Sequence, residues 1–317
     1  MKVNQLLKFY EQGYRDFTGV DLRGEDLSGV MLISVNLTGA NLMGANLSRA
    51  FLTKSDLSEA TLNWANFSYA KMSETNLTKA NLTKANLTGA FMVKSQLVEA
   101  QLSGANLSHT NLRSANLFAA NICGAKLQKV NLRQANLNQA NFNWANLYEG
   151  RLTGAQLQNI SLTDVNLSQT FMIDVDLSGA DLTGINLTQA KLARANLSNA
   201  NLSNANLANA LLKEANLCNA NLNNANLANV RLQKGNLNHA NLNQANLSSA
   251  SLCGASFKQA NLSNANLTQA DIKNANFELA VLQNTILDKT PLVERSFLYS
   301  AKKINYVHSL QHRVQTA

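Results

Sequence analysis

The sequence predicts an all-β solenoid built from short extended pieces and turns. Three observations carry that prediction. A large apolar residue recurs every five residues from Phe17 to Leu282, giving 54 positions in unbroken register, each of them Leu, Phe, Met or Ile. A second column, two residues earlier, holds only Ala, Ser, Thr, Gly, Val or Ile from Val30 to Ala280. Between the two columns stands, in most units, Asn or Asp. The unit is therefore A-N/D-L-x-x, as in Ala195-Asn196-Leu197-Ser198-Asn199.

A period of five matches neither the 3.6 of an amphipathic helix nor the 2 of a flat strand. Apolar residues two apart fit a short extended piece with one face inward. The Ser, Asn, Gly and Asp residues that follow suit a turn, because they tolerate unusual dihedrals or bond their own backbone. Turns of one hand coil the chain. A single unit cannot bury its Leu, but stacked units bury a continuous Leu/Ala core.

This tandem A-N/D-L-x-x pattern resembles that of the pentapeptide-repeat proteins, over about Asp16 to Leu287. The resemblance implies a right-handed quadrilateral parallel β-helix. Four pentapeptides would make one coil of 20 residues, with the Leu-type and Ala-type columns inward and the other three positions outward. Short helical caps are expected at one or both ends.

The sequence carries its own test of a 20-residue coil. On three of the four phases, the residue before each large apolar one is Asn, Asp, Gln, Ser or Thr, except for Lys126 and Val281. On the fourth phase, nine of the 13 positions from Met31 to Asp271 break that rule. Deviations that cluster every 20 residues mean that the coil closes every 20. At ~4.8 Å per coil, the repeats would build a rod roughly 65 Å long.

The expected organisation is an N-terminal capping helix in 1–15, a β-helix over 16–287 and a C-terminal cap or tail in 288–317. Leu6, Leu7, Phe9 and Tyr10 can cover the first coil in a helix stopped by Gly13. Phe297, Leu298, Ile304, Val307, Leu310 and Val314 have partly helical spacing, in a tail expected to cap the stack, to pair two copies as a homodimer or to lie on a membrane surface.

Composition narrows the function. The 317 residues are 45% hydrophobic and 15% charged, with one Pro, which argues against disorder. No run approaches the ~20 apolar residues of a membrane span, and MKVNQLLKFY lacks a signal-peptide core. A cytoplasmic location is expected. Cys123, Cys218 and Cys253 form no CxxC pair and read as reduced thiols. Among His109, His239, His308 and His312, only the last two stand at a helical i, i+4 spacing, which is weak support for a metal. There is no phosphate-binding loop, dinucleotide fingerprint or zinc-protease motif. The carboxylates Asp174/Asp176 and Asp21/Glu25/Asp26 read as solvated surface charge, since an unbroken solenoid implies no pocket. No enzyme activity, metal or cofactor is expected.

Charge is patterned. The chain carries a formal +8. Between Phe17 and Leu282, twelve of 19 Lys and Arg residues fall on the fourth phase, with only four acidic residues. These cations are Lys54, Lys71, Lys94, Arg113, Arg133, Arg151, Lys191, Arg194, Lys213, Arg231, Lys234 and Lys273, interleaved with Phe51, Phe91 and Phe171. They make a candidate interaction stripe. Its plainest reading is a solvated face. Its functional readings are a docking face for another protein, since Arg and aromatics are enriched at interfaces, or a track for an anionic polymer such as nucleic acid.

The favoured function is therefore a non-enzymatic scaffold or protein-interaction rod. The resemblance offers an alternative, modulation of DNA gyrase or another topoisomerase by DNA mimicry. Mimicry needs a negative surface, and resistance-type relatives often carry loop insertions. Here the most patterned face is positive and the register has no insertion.

Overall fold

The computed structural model describes residues 1–290. Of the capping or dimerising tail expected in 288–317, residues 288–290 complete the last turn of the repeat, and residues 291–317, with His308 and His312, lie outside the described residues. The chain divides into two compact units, Met1–Phe171 and Met172–Ala317.

Unit 1 begins with helix α1, Val3–Glu11. It starts three residues before the expected Leu6, because Val3 extends the apolar face one turn back from Leu6. Leu6 is fully buried. The helix end is a Schellman motif: the Gly13 N–H donates to the Tyr10 carbonyl and the Tyr14 N–H to the Phe9 carbonyl, both at 3.0 Å. Gly13 takes φ +95°, a value that strains any residue with a Cβ. The accompanying apolar contact is present as an edge-to-face pair of Phe9 and Tyr14, 5.5 Å apart. The helix meets the first coil through Lys2 Nζ on Glu25 at 3.1 Å and the Met1 amino group on the Asp21 carbonyl.

From Asp16 to Thr290 the chain repeats one bridge and one turn per five residues. Each bridge is parallel and joins residues twenty apart, from Asp16–Asn36 to Arg151–Phe171 in unit 1 and from Asp176–Asn196 to Asn266–Ile286 in unit 2. The coil thus closes every 20 residues, and Leu32, Leu52 and Met72 stack in register. The pieces are single bridges rather than longer strands.

Every backbone N–H of the unit is accounted for, which is what a buried chain requires. Asn196 donates to Val175 of the coil before, while Leu197 and Asn199 donate to Asn216 and Cys218 of the coil after. Ala200 closes the turn on the Leu197 carbonyl at 3.2 Å. The one remaining donor, the Ser198 N–H, goes to Asn196 Oδ1 at 3.3 Å. The Asx column exists to accept that bond. Its amides also form ladders between coils: Asn46, Asn66 and Asn86 each donate Nδ2 to the Asx oxygen twenty residues earlier, at 3.0–3.1 Å.

The turn residue two after the Leu position has positive φ throughout, at twelve glycines and 43 other residues from Gly19 to Lys289. Positive φ at the third residue is the requirement of a type II turn. Inside, all 54 large apolar residues are at most 8% exposed. Phe257 and Phe277 stack at 5.0 Å in unit 2. Buried hydroxyls in the Ala column find carbonyls, as Ser55 does on Leu32 at 2.8 Å and Thr75 on Leu52 at 2.9 Å.

Candidate functional site

The stripe residues divide between the units. In unit 1, Phe51, Lys71, Phe91, Arg151 and Phe171 belong to one bridged column that also holds Met31, Asn111 and Asn131. Lys54 and Lys94 occupy positive-φ turn positions, and Arg113 and Arg133 stand one residue before such positions. In unit 2, Lys191 and Arg231 share a bridged column with Leu211, Ser251 and Asp271. Arg194 and Lys234 sit at positive-φ positions, and Lys213 and Lys273 precede them. All twelve cations are exposed except Lys191, which is half-buried.

The outward residue of this column lies where the Asx side chain stands elsewhere. Phe51, Lys71 and Phe91 carry no turn-capping oxygen, so the backbone N–H groups of Thr53, Ser73 and Val93 receive no Asx acceptor. Large side chains take the space instead. Lys71 Nζ rests 3.9 Å from the centre of the Phe91 ring, and Arg151 lies over Phe171 at 5.9 Å. Cation–π contacts of this kind hold a charged side chain flat while leaving its charge at the surface.

The two units differ in how far their positive charge is compensated. On this phase unit 1 has six cations and one acid, Glu74, whereas unit 2 has six cations and three acids. In unit 2, Arg194 pairs with Asp174 through two bonds of 2.7 and 2.6 Å. That hydrogen bonding lowers the Asp174 pKa and raises that of Arg194. Lys213 approaches Glu214 at 3.7 Å. Asp271 accepts from Cys253 Sγ at 3.0 Å, which raises the thiol pKa and disfavours the thiolate.

A cleft of about 480 Å³ opens beside the unit 1 column, lined by Gly29, Arg49, Phe51, Tyr69 and Lys71. This corrects the expectation that a regular solenoid lacks pockets. The reason is local: two large residues, Arg49 and Tyr69, stand between two glycines along a corner, and the Tyr69 ring lies over Gly89. Reading by phase found Phe51 and Lys71 but missed Arg49 and Tyr69, which belong to the preceding phase and meet the column across the corner.

No group of three or more His, Cys, Asp or Glu residues could hold a metal ion among the described residues. The three cysteines are free and half-buried. No helix among the described residues is long and apolar enough to cross a membrane.

The repeat places the chain in a known class. It matches the family described as Pentapeptide repeats (8 copies) in overlapping stretches that run from residue 16 to residue 293. The chain belongs to the pentapeptide-repeat family. No curated protein matches it at a significant level. Among solved structures it is similar to HetL, a pentapeptide-repeat protein involved in heterocyst differentiation regulation from the cyanobacterium Nostoc sp. strain PCC 7120, at 27% identity over 93% of this chain and 100% of that one, with a TM-score of 0.18. Rfr23, from the cyanobacterium Cyanothece 51142, is 29% identical over 37% of this chain and 91% of its own, with a TM-score of 0.22. A trypsin-treated form of QnrB1, a plasmid-mediated fluoroquinolone resistance protein, is 18% identical over 54% of this chain and 90% of that chain, with a TM-score of 0.33.

Proposed function

We propose that this protein is a non-enzymatic interaction scaffold that docks an acidic partner protein on its basic face. In this reading the coils of each unit form a right-handed quadrilateral β-helix, with α1 capping the first coil in a domain of residues 1–15 and the repeats, expected over 16–287, running on to Thr290. The face is the stripe of Phe51, Lys54, Lys71, Phe91, Lys94, Arg113, Arg133, Arg151 and Phe171 in unit 1; unit 2 carries a stripe of its own, of Lys191, Arg194, Lys213, Arg231, Lys234 and Lys273.

The observation that carries the reading is the Phe51–Lys71–Phe91 column. The turn-capping Asx is given up there three times running, at the expense of backbone hydrogen bonds, for exposed aromatic and cationic groups. A solvated face would need none of that: Asn serves solubility and caps the turn as well. Unit 1 carries the stronger claim, because its cations face a single acid. Arg and aromatic residues at a surface are the composition of interface anchors. DNA mimicry has no comparable support, since the patterned face is positive.

The test compares affinity captures from cell lysate, with nuclease added, using wild type and the reversal Lys71→Glu/Arg113→Glu/Arg133→Glu/Arg151→Glu. Acidic proteins retained by wild type and lost from the reversal are expected. Identical captures would remove the face from consideration. Material lost on nuclease treatment alone would transfer the stripe to nucleic acid, whose binding falls steeply with salt.

A further inference from the structure

We propose that the cleft at Arg49, Phe51, Tyr69 and Lys71 is an anchoring subsite that takes an aromatic side chain flanked by carboxylates, presented by an acidic peptide segment. This deepens the docking role proposed above and rests on it.

The cleft arises from the stacking of two columns. Along the corner, successive coils carry Gly29, Arg49, Tyr69 and Gly89, linked by bonds from the Arg49 N–H to the Ser68 carbonyl and from the Tyr69 N–H to the Thr88 carbonyl. Beside them on the face run Phe51, Lys71 and Phe91. The Tyr69 and Lys71 side chains both reach toward the next coil. A Cβ on Gly89 would lie 2.7 Å from Tyr69 Cε1, so the Tyr69 ring occupies the room that Gly89 leaves. Lys71 lies on Phe91. Gly29, with nothing within 4 Å of where its Cβ would stand, leaves the other end open.

What remains has two aromatic walls, Phe51 at 39% and Tyr69 at 55% exposure, and two cations. Arg49 and Lys71 enter no ion pair among the described residues, and no acidic residue stands among the seven positions named above. Aromatic faces select a flat or apolar group, and two uncompensated cations select negative charge beside it. The cleft is too open to bury most of a small molecule, as an enclosed ligand site does. It suits one side chain of a larger partner, whose remaining contacts lie along the stripe. The N–H groups of Thr53 and Ser73, without Asx acceptors, stand next to it and can meet carbonyls of the partner segment.

The test is fluorescence anisotropy at about 0.15 M salt with a labelled heptapeptide in which one phenylalanine is flanked by acidic residues. Companion probes replace the phenylalanine by alanine or the acids by lysine. The full chain is used, with Arg49→Glu and Gly89→Ala as variants. Gly89→Ala keeps the identity of all four cleft residues but displaces the Tyr69 ring, and Ala119 shows that alanine is accommodated at this turn position with φ +53°. Roughly tenfold weaker binding, a typical anchor loss, is expected for each variant and for the alanine probe, with no binding of the lysine probe.

Equal binding by Arg49→Glu and wild type overturns the subsite, as does equal binding of the alanine probe or failure of wild type to bind the acidic probe. An equal loss in Arg113→Glu/Arg133→Glu, neither of which lines the cleft, also overturns it. That outcome leaves the docking face standing, so the two readings fail separately.

Discussion

The phenolic oxygen of Tyr10 lies 3.1 Å from the backbone nitrogen of Ile33 and accepts its hydrogen bond. At most corners that bond goes to an Asx side chain two residues earlier, but position 31 is Met. A side chain from α1 thus supplies the oxygen that the first coil lacks. Replacing Tyr10 by Phe keeps the ring and removes the acceptor, so stability should fall by about 1 kcal/mol. Met31→Asn restores a local acceptor, and in that background Tyr10→Phe should be close to neutral. A double-mutant cycle by urea denaturation measures both; equal losses in the two backgrounds would show that the bond contributes nothing.

Leu127 is fully buried between coils. Leu127→Ala should cost about 2–5 kcal/mol. Leu127→Asp should cost more, because it adds an unpaired buried carboxylate, while Leu127→Met should stay within about 1.5 kcal/mol. Circular dichroism and denaturant melts give the order, and an aspartate variant as stable as the methionine one would refute the closed core.

Leu279 holds φ +57° while 49% exposed. A left-handed conformation costs ordinary L-residues roughly 1–2 kcal/mol, and Asn less. Leu279→Asn should raise stability by about 0.5–1 kcal/mol, read as a higher thermal midpoint. A lower midpoint would mean that the leucine makes contacts worth more than the strain.

Acid should loosen the turns capped by aspartate. The Ser178 backbone N–H, then its hydroxyl, hold the Asp176 carboxyl below its ordinary pKa of 3.8 against the opposing effect of burial. Thr18 does the same for Asp16, hydroxyl first. Because the folded-state pKa lies below the unfolded one, this stabilisation is complete above the ordinary value and is lost as pH falls through the folded one. Between about pH 7 and about pH 2.5, the urea midpoint of wild type should fall more than that of Asp16→Asn/Asp176→Asn, whose amides accept the same N–H at every pH. Parallel curves would refute the link.

Much of this was legible in the residues. The period of five marked the turns, and the broken rule at Met31, Phe51, Lys71 and Phe91 marked both the 20-residue closure and the candidate face. What escaped is contact across corners. Arg49 and Tyr69 look like ordinary turn residues until the coil sets them beside Phe51 and Lys71. The substitute acceptors were equally hidden. Where Gln156, Ser161 and Ser256 interrupt the Asx column, Asn138, Asn143 and Asn238 of the coil before accept the N–H groups of Gln158, Thr163 and Lys258 at 2.8–3.1 Å.

The sequence by itself determined what repeats: which residues turn inward, where the chain bends and how many residues return it to the same face. Those properties are local, since one large apolar residue, one small one and one Asx oxygen dictate them in every unit. Only the tertiary structure decided which charges are neutralised and where the surface opens. Ion pairing between Asp174 and Arg194, and the lean of Tyr69 over Gly89, depend on side chains twenty residues apart that share an edge, and a lean of a few ångströms between stacked neighbours has no signature in the order of residues along the chain.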